Sequence, residues 1–274
     1  MILGHDHTIY LVADPGDFDG VCETFRDLGF ILTEREDEGR DQASTMQKLV
    51  CFADGTYIEI LTVRGVEARA RHRFAPFLAP GNGWADYSLH ADNLVAVRER
   101  LVAAALPFAG PHSHARRLSD GRPWGVSLIL PGIGAGHPAL PFVLEDTAGR
   151  ELRIPSHSVR HANGVTGTGG VTVAARDPGA VADRLTRLCG PDALVGHFRE
   201  GEAERVRIRL RSGWIDLVES ALQASPGQAI AGGEGIVAVT LVRPGTIGHR
   251  PLPEAGAATL PGLFVTGSQT AAPI

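Results

Sequence analysis

The stretch HTIYLVADPGDFDGVCETFRDLGF, residues 7–30, sets the pattern on which the fold prediction rests. It opens with a β-rich run and reaches Asp14, and apolar residues then recur at helical spacing from Phe18 to Leu28. An aspartate before such a pattern marks a helix start, because its carboxylate accepts hydrogen bonds from the free N–H groups of the first turn. The stretch therefore predicts a strand followed by a helix.

Two further segments have the same form, ADYSLHADNLVAVRERLVAAALPF at residues 85–108 and GVTVAARDPGAVADRLTRL at residues 170–188. Asp92 and Asp177 take the place of Asp14 in them. A recurring segment predicts a repeated structural unit.

Short strands are predicted after each helix. They span residues 30–33, 47–52 and 56–62, then 106–109, 123–130 and 140–145, then 194–198, 204–211 and 214–219. The order β, α, β, β, β occurs three times and predicts an α+β fold of repeated βαβββ units with curved mixed sheets around a cavity. We expect a paired domain at 1–165, a third unit with an extra strand (236–242) at 166–250, and an irregular tail at 251–274, the irregularity beginning at Pro244.

Composition narrows the function classes. The net charge is −5, and no basic block has the size of a nucleic-acid footprint. We interpret the densest basic stretch, residues 64–73, as a solvated loop or helix face. Residues 125–144 contain three prolines that would break a membrane helix. Neither nucleic acid nor a membrane is expected as a partner.

Three cysteines without CxxC spacing indicate buried, reduced thiols. The N-terminus lacks a signal-peptide pattern, so we expect a cytoplasmic location.

Each unit ends with an acid inside an apolar strand: Glu59, Glu145 and Asp216. A buried carboxylate is unfavourable unless it faces a polar cavity or a partner, although an outward-facing residue fits the same alternation. We expect Asp216, which lies outside the paired units, to be structural.

In their order, these motifs resemble the glyoxalase-like branch of the vicinal-oxygen-chelate superfamily. The resemblance rests on the strand at residues 7–14, the strand around Glu59, Gly83-Trp84, Leu140-Pro141-Phe142, and residues 161–164 (HANG). It covers residues 1–165 well and the third unit more loosely.

The resemblance implies that His7, Glu59 and Glu145 bind a divalent metal ion such as Zn, Ni, Mn, Fe or Mg, with Glu59 or Glu145 also moving a proton. It further implies a metal-dependent lyase or isomerase acting on a small oxygenated substrate. The position that matches His7 in the second unit is Ala85, which has no donor. His90 does not replace it, because it lies five residues further on and strand side chains alternate between faces.

Ala85 also supports a different class of function, a metal-free small-molecule-binding protein with the same cavity. A third possibility is an interaction scaffold. The histidines His112, His114, His157 and His161, with Arg116 and Arg117, either line the cavity mouth or are ordinary loop polarity. Trp84 and Trp124 are expected in the core or the cavity wall. A homodimer is expected, because a third unit without a fourth leaves a sheet uncovered.

Overall fold

The computed structural model describes residues 1–34, 37, 43–191, 193–200, 203–220, 233–252 and 260–267. These residues contain two seven-stranded mixed sheets with five α-helices. The predicted α+β class with repeated βαβββ units is confirmed.

The first sheet has the strand order β2-β3-β1-β4-β7-β6-β5. Its strands are β1 (Ile2–Leu11), β2 (Thr45–Cys51), β3 (Tyr57–Val63), β4 (Gly83–Ala91), β5 (Ala109–Arg117), β6 (Pro123–Leu130) and β7 (Phe142–Ala148). The helices in this part of the chain are α1 (Phe18–Asp27), α2 (Val66–Arg71), α3 (Leu94–Ala103) and α4 (Arg150–Arg153).

The second sheet has the order β13-β14-β12-β8-β11-β10-β9. It comprises β8 (Gly167–Ala175), β9 (Leu194–Glu200), β10 (Ala203–Arg209), β11 (Trp214–Glu219), β12 (Gly235–Val242), β13 (His249–Pro251) and β14 (Leu263–Thr266), with α5 (Pro178–Cys189) between β8 and β9.

Both sheets use the same central pairing. β1 runs parallel to β3 and antiparallel to β4, as β8 runs parallel to β11 and antiparallel to β12. The prediction of an irregular tail from Pro244 is wrong for His249–Pro251 and Leu263–Thr266, which form β13 and β14 and continue the sheet beyond β12. β13 and β14 lengthen the sheet that motivated the expected homodimer. Residues 253–259 and 268–274 lie outside the described residues.

Two predicted strands also differ from the structure. Residues 30–33 contribute a single bridge from Thr33 to Leu49. The segment 106–109 precedes a longer strand, β5, whose polar sequence has no apolar alternation because it forms an exposed sheet edge.

The helix starts largely follow the predicted caps. The Asp14 carboxylate accepts from the Gly16 N–H, at the short 3₁₀ turn before α1, and Asp177 accepts from the Ala180 N–H of α5. Asn93 rather than Asp92 caps α3, because Asn93 directly precedes its first residue, Leu94. Asp92 pairs with the N-terminal amine.

One large core packs the helices against both sheets, and a smaller apolar cluster that includes Ile9, Leu61, Phe142 and Leu144 lies on the other face of the first sheet. The first sheet curls around a cavity at this second cluster. Among the helices described, none has the length and apolar character required to cross a bilayer.

Candidate functional site

The cavity of the first sheet has a volume of about 720 Å³. Strands β1, β2, β3, β5, β6 and β7 form its walls, and the residues that follow α2 close one side. Its size suits a small organic molecule.

His7 and Glu59 face each other in this cavity. His7 Nε2 lies 3.7 Å from Glu59 Oε2. The parallel register pairs His7 with Tyr57, so Glu59, two residues on, projects from the same face of β3. The imidazole stacks on the Tyr57 ring at 4.4 Å between centroids and meets the edge of Phe142 at 5.2 Å. The structure thus brings together two of the predicted site residues.

Asp6 fixes the orientation of His7. Its carboxylate is fully buried and lies 2.7 Å from His7 Nδ1. It also accepts hydrogen bonds from Arg153 and Arg150. Burial alone would raise the pKa of Asp6, but the charge of Arg153 and the hydrogen bonds from His7 and Arg153 outweigh it and hold the pKa well below its usual value.

An ionised carboxylate only accepts hydrogen bonds, so the proton of a neutral His7 lies on Nδ1 and the lone pair on Nε2. This lone pair and the Glu59 carboxylate are both acceptors. The two acceptors lie 3.7 Å apart and both line the cavity. The arrangement is suited to holding and moving a proton.

Arg153 anchors this arrangement through a buried ion-pair network. Its guanidinium donates to Asp6, to Asp146 at 2.6 Å and to the Tyr57 hydroxyl at 2.9 Å. Asp146 also contacts Arg150 and lies 3.3 Å from His90 Nε2. His90 is thereby held in the network, away from the facing pair of His7 and Glu59.

Glu145 lies apart from His7 and Glu59. Its carboxylate accepts a hydrogen bond of 2.8 Å from the Leu94 N–H at the start of α3. Leu144 and Phe142, which precede Glu145 by one and three positions in β7, both line the cavity. Because side chains alternate between the two faces of a strand, Glu145 points to the opposite face, towards the helices. The structure therefore does not bring Glu145 together with His7 and Glu59 in the cavity.

The donor set does not match the metal site that the resemblance implies. His7 and Glu59 converge, Glu145 is turned away, and Ala85 lies in the apolar cluster beside the cavity. Catalytic metal sites usually have three protein ligands. Among the described residues, no group of three or more His, Cys, Asp or Glu side chains is placed to hold an ion.

Sequence reasoning did not identify Arg73 and Asp86 as site residues. Arg73 lines the cavity and pairs with the buried carboxylate of Asp86. Burial raises the pKa of Asp86, and Arg73 acts in the opposite direction. The solvated-face interpretation of residues 64–73 holds for Arg71, which is exposed, but is wrong for the half-buried Arg73 and Arg64, both of which line the cavity.

The other histidines lie in three kinds of position. His114 lines the cavity mouth beside Arg116, and burial, reinforced by Arg116, lowers the pKa of its ring. His112 and His157 are exposed. His161 is buried outside the cavity, where Nδ1 accepts from the Ile31 N–H and Nε2 donates to the Cys51 carbonyl. Trp124 lines the cavity and Trp84 lies in the core, as expected.

A family model described as a glyoxalase-like domain matches residues 5–189. No curated protein matches the sequence. Among solved structures, a hypothetical protein from Staphylococcus aureus has a TM-score of 0.66 at 13% identity, with 95% of this chain and 97% of that chain covered.

Two solved structures named as enzymes are also similar, the first of them from the vicinal-oxygen-chelate superfamily. A 4-hydroxymandelate synthase variant from Streptomyces coelicolor has a TM-score of 0.56 at 13% identity, covering 89% of this chain and 72% of that one. A fusion of a xylose isomerase-like TIM barrel with 4-hydroxyphenylpyruvate dioxygenase has a TM-score of 0.53 at 15% identity, covering 89% and 37%. At these identities the likeness shows the fold alone.

Proposed function

Because the chain belongs to the glyoxalase-like domain family, we propose that it is an isomerase or lyase that moves a proton on a small oxygenated substrate in the first-sheet cavity. The observation that carries the proposal is the facing pair of His7 Nε2 and Glu59 Oε2, 3.7 Å apart, with His7 oriented by Asp6.

In this proposal His7 is the base. Its Nε2 lone pair takes a proton from a substrate carbon next to a carbonyl, and the electrons of the broken C–H bond move into an enolate oxygen. The imidazolium that forms is stabilised by the Asp6 carboxylate, 2.7 Å from Nδ1. When protonated, Glu59 gives its proton to the enolate oxygen as that oxygen forms, so exchange at carbon depends on both side chains. Return of a proton at a neighbouring carbon gives an isomerase, and loss of a leaving group from the enolate gives a lyase.

No step of this proposal passes through a metal ion, because only His7 and Glu59 of the expected ligands converge. The metal-dependent form of the hypothesis requires a bound ion that depends on these two side chains. Elemental analysis of the purified chain and of His7→Ala and Glu59→Ala distinguishes the forms. One divalent ion per chain that is lost in both variants would replace our proposal with the metal-dependent one.

Proton exchange in D₂O tests the reaction class without a known product. A panel of small 2-oxo and 2-hydroxy acids and aldehydes is incubated with the protein, and loss of the proton next to the carbonyl or hydroxyl group is followed by ¹H NMR. We expect exchange that survives a chelator and falls at least about a hundredfold in His7→Asn, as for loss of a general base. His112→Asn, which changes an exposed histidine, is the matched control.

Absence of exchange for the whole panel, or equal exchange by wild type and His7→Asn, would contradict the proposal.

A second candidate is a metal-free protein that sequesters a small molecule. It is favoured by Ala85, which adds apolar surface where the resemblance requires a ligand. Saturable binding of panel compounds without any proton exchange is the result that selects it.

We further propose a reducing, cytoplasmic location. Cys22, Cys51 and Cys189 are free and buried. Burial raises the pKa of Cys22 to about 11 and that of Cys189 to about 12, so both remain unreactive thiols. Mass spectrometry of the protein isolated without reductant is expected to find three free thiols, and a disulfide would contradict this location.

A further inference from the structure

We propose that Arg73 binds a carboxylate group of the substrate, so that the cavity accepts small carboxylic acids with an apolar body. This inference rests on the proposed function, since it names the substrate class of the same cavity.

Arg73 is fixed in place and still has donors to offer. It follows α2, and its side chain is 21% exposed where it lines the cavity. The guanidinium lies 4.1 Å from the centroid of Phe74 and 4.9 Å from that of Phe142. Among the described residues, Asp86 is its ion-pair partner, through Nη1. A guanidinium has five N–H donors in a planar fork, so this contact leaves donors for a second carboxylate.

The position of Arg73 suits a small acid. Phe142 contacts both the His7 ring, at 5.2 Å between centroids, and the Arg73 guanidinium. The anion-binding group and the proposed base therefore flank one aromatic ring. A substrate whose carboxylate contacts Arg73 would hold its neighbouring carbon atoms near His7.

The other cations of the cavity are engaged differently. Arg153 donates to Asp6, Asp146 and the Tyr57 hydroxyl. Lys48 pairs with Glu34, and Arg64 donates through Nη2 to the Ala43 carbonyl. Arg116 is exposed on the edge strand at the mouth. Among the described cations of the cavity, Arg73 is the one that is held in place by an ion pair and also contacts Phe142, the ring that packs against His7.

The walls between these groups are apolar. Leu61 from β3, Val126 and Leu128 from β6, and Leu144 from β7 face the cavity. Such walls bind hydrocarbon, whereas a charged head requires a fixed cation. Together they select a substrate with one carboxylate and an apolar body.

Two probes of nearly equal shape test this inference, phenylacetate and phenylacetamide, measured by isothermal titration calorimetry on the full chain at pH 7. Wild type is expected to bind the acid at least about tenfold more tightly than the amide, because a charge-assisted bidentate contact replaces a neutral one. In R73M/D86N, which also removes the buried carboxylate that Arg73 neutralises, the preference is expected to fall to about twofold or less. R71M changes an exposed arginine two positions away and is expected to keep the preference.

Equal binding of both probes by wild type, binding of neither, or a preference that survives in R73M/D86N would overturn the inference. A preference that depends on Arg73 without proton exchange by any panel acid would support the carboxylate site and reject the proposed reaction, so the two failures are distinguishable.

Discussion

The two sheets place corresponding residues in the same register but build different sites from them. In the first sheet His7 pairs with Tyr57, and Glu59 lies two residues further along β3. In the second sheet Gly170 pairs with Trp214, and Asp216 lies two residues further along β11. Gly170 thus stands where the first sheet has its histidine, and Asp216 where it has its glutamate.

In the second sheet, the side chains of Trp214 and Arg207 fill the space beside Gly170 and Asp216. A Cβ atom added at Gly169 or Gly170 would lie 2.7 or 2.6 Å from atoms of the Trp214 indole, so the ring covers the backbone there. Arg207 makes two hydrogen bonds of 2.6 Å to the Asp216 carboxylate and lies 4.7 Å from the rings of both Phe198 and Trp214. The acid is neutralised and the space beside it is filled.

The comparison shows that an acid in the last strand of a βαβββ unit does not by itself make a site. Glu59 faces an imidazole and a cavity, whereas Asp216 faces a guanidinium. Whether the site is open or packed depends on two features: the group that faces the acid, and the size of the aromatic residue two positions before it, Tyr57 or Trp214.

We expect the greatest change in stability when one of the two buried carboxylates that neutralise an arginine, Asp6 or Asp216, is replaced by an amide. Asp6→Asn is expected to lower the free energy of unfolding by about 3–5 kcal/mol, because it leaves Arg153, 3% exposed, with one fewer carboxylate. Asp216→Asn is expected to lower it by about 1–3 kcal/mol, because Arg207 is 16% exposed and water reaches it more easily. Urea denaturation measures both, and a greater loss in Asp216→Asn would contradict the comparison.

A smaller effect tests the packing of Trp214. Gly170→Ala places a methyl group against the indole and the Trp214 carbonyl, and is expected to cost about 2 kcal/mol of unfolding free energy. The matched control is Gly179→Ala in α5, where the nearest atom is 3.4 Å away. Removing a helical glycine there is expected to be neutral or stabilising by up to about 1 kcal/mol. Equal melting temperatures for the two variants would mean that Trp214 does not fill this space tightly.

The smallest of the three effects concerns His5, which joins the sheets through a 2.8 Å hydrogen bond from Nε2 to the Trp214 carbonyl. Burial lowers the pKa of His5 from 6.5 to about 4. The unfolded chain therefore binds more protons between these values, and stability that is fully present above pH 6.5 is lost as the pH falls towards 4.

We expect His5 to account for a loss on the order of 1–2 kcal/mol between pH 7 and pH 4.5, and His5→Gln to reduce it. Denaturant melts of both proteins at the two pH values measure this. An unchanged difference in His5→Gln would show that other groups carry the acid sensitivity.

Much of the fold follows from local patterns. The predicted strands at 123–130 and 214–219 coincide with β6 and β11, and Asp177 caps the helix it was expected to start. β5 was misplaced because an exposed edge strand does not need alternating apolar residues. β13 and β14 were missed because their short segments follow glycines and prolines, which favour an irregular prediction.

The site was less predictable, because it depends on contacts between distant segments. Alternation along β7 indicates that Glu145 and Leu144 face opposite sides, but not which side is the cavity. Asp6 and Arg153 are 147 positions apart, and no spacing in the sequence links them. The sequence offered only two local indications of these residues. Residues 5–7 (HDH) place an acid between two histidines, and Arg150 and Arg153 lie one helical turn apart.

The most direct test of the account compares the two corresponding acids in one assay. The rate of substrate proton exchange in D₂O is measured, per folded molecule, for wild type, Glu59→Gln and Asp216→Asn. We predict that the rate falls at least about a hundredfold in Glu59→Gln and that Asp216→Asn remains within about threefold of wild type. Equal losses in the two variants, or a loss confined to Asp216→Asn, would contradict the claim that the first sheet holds the working site.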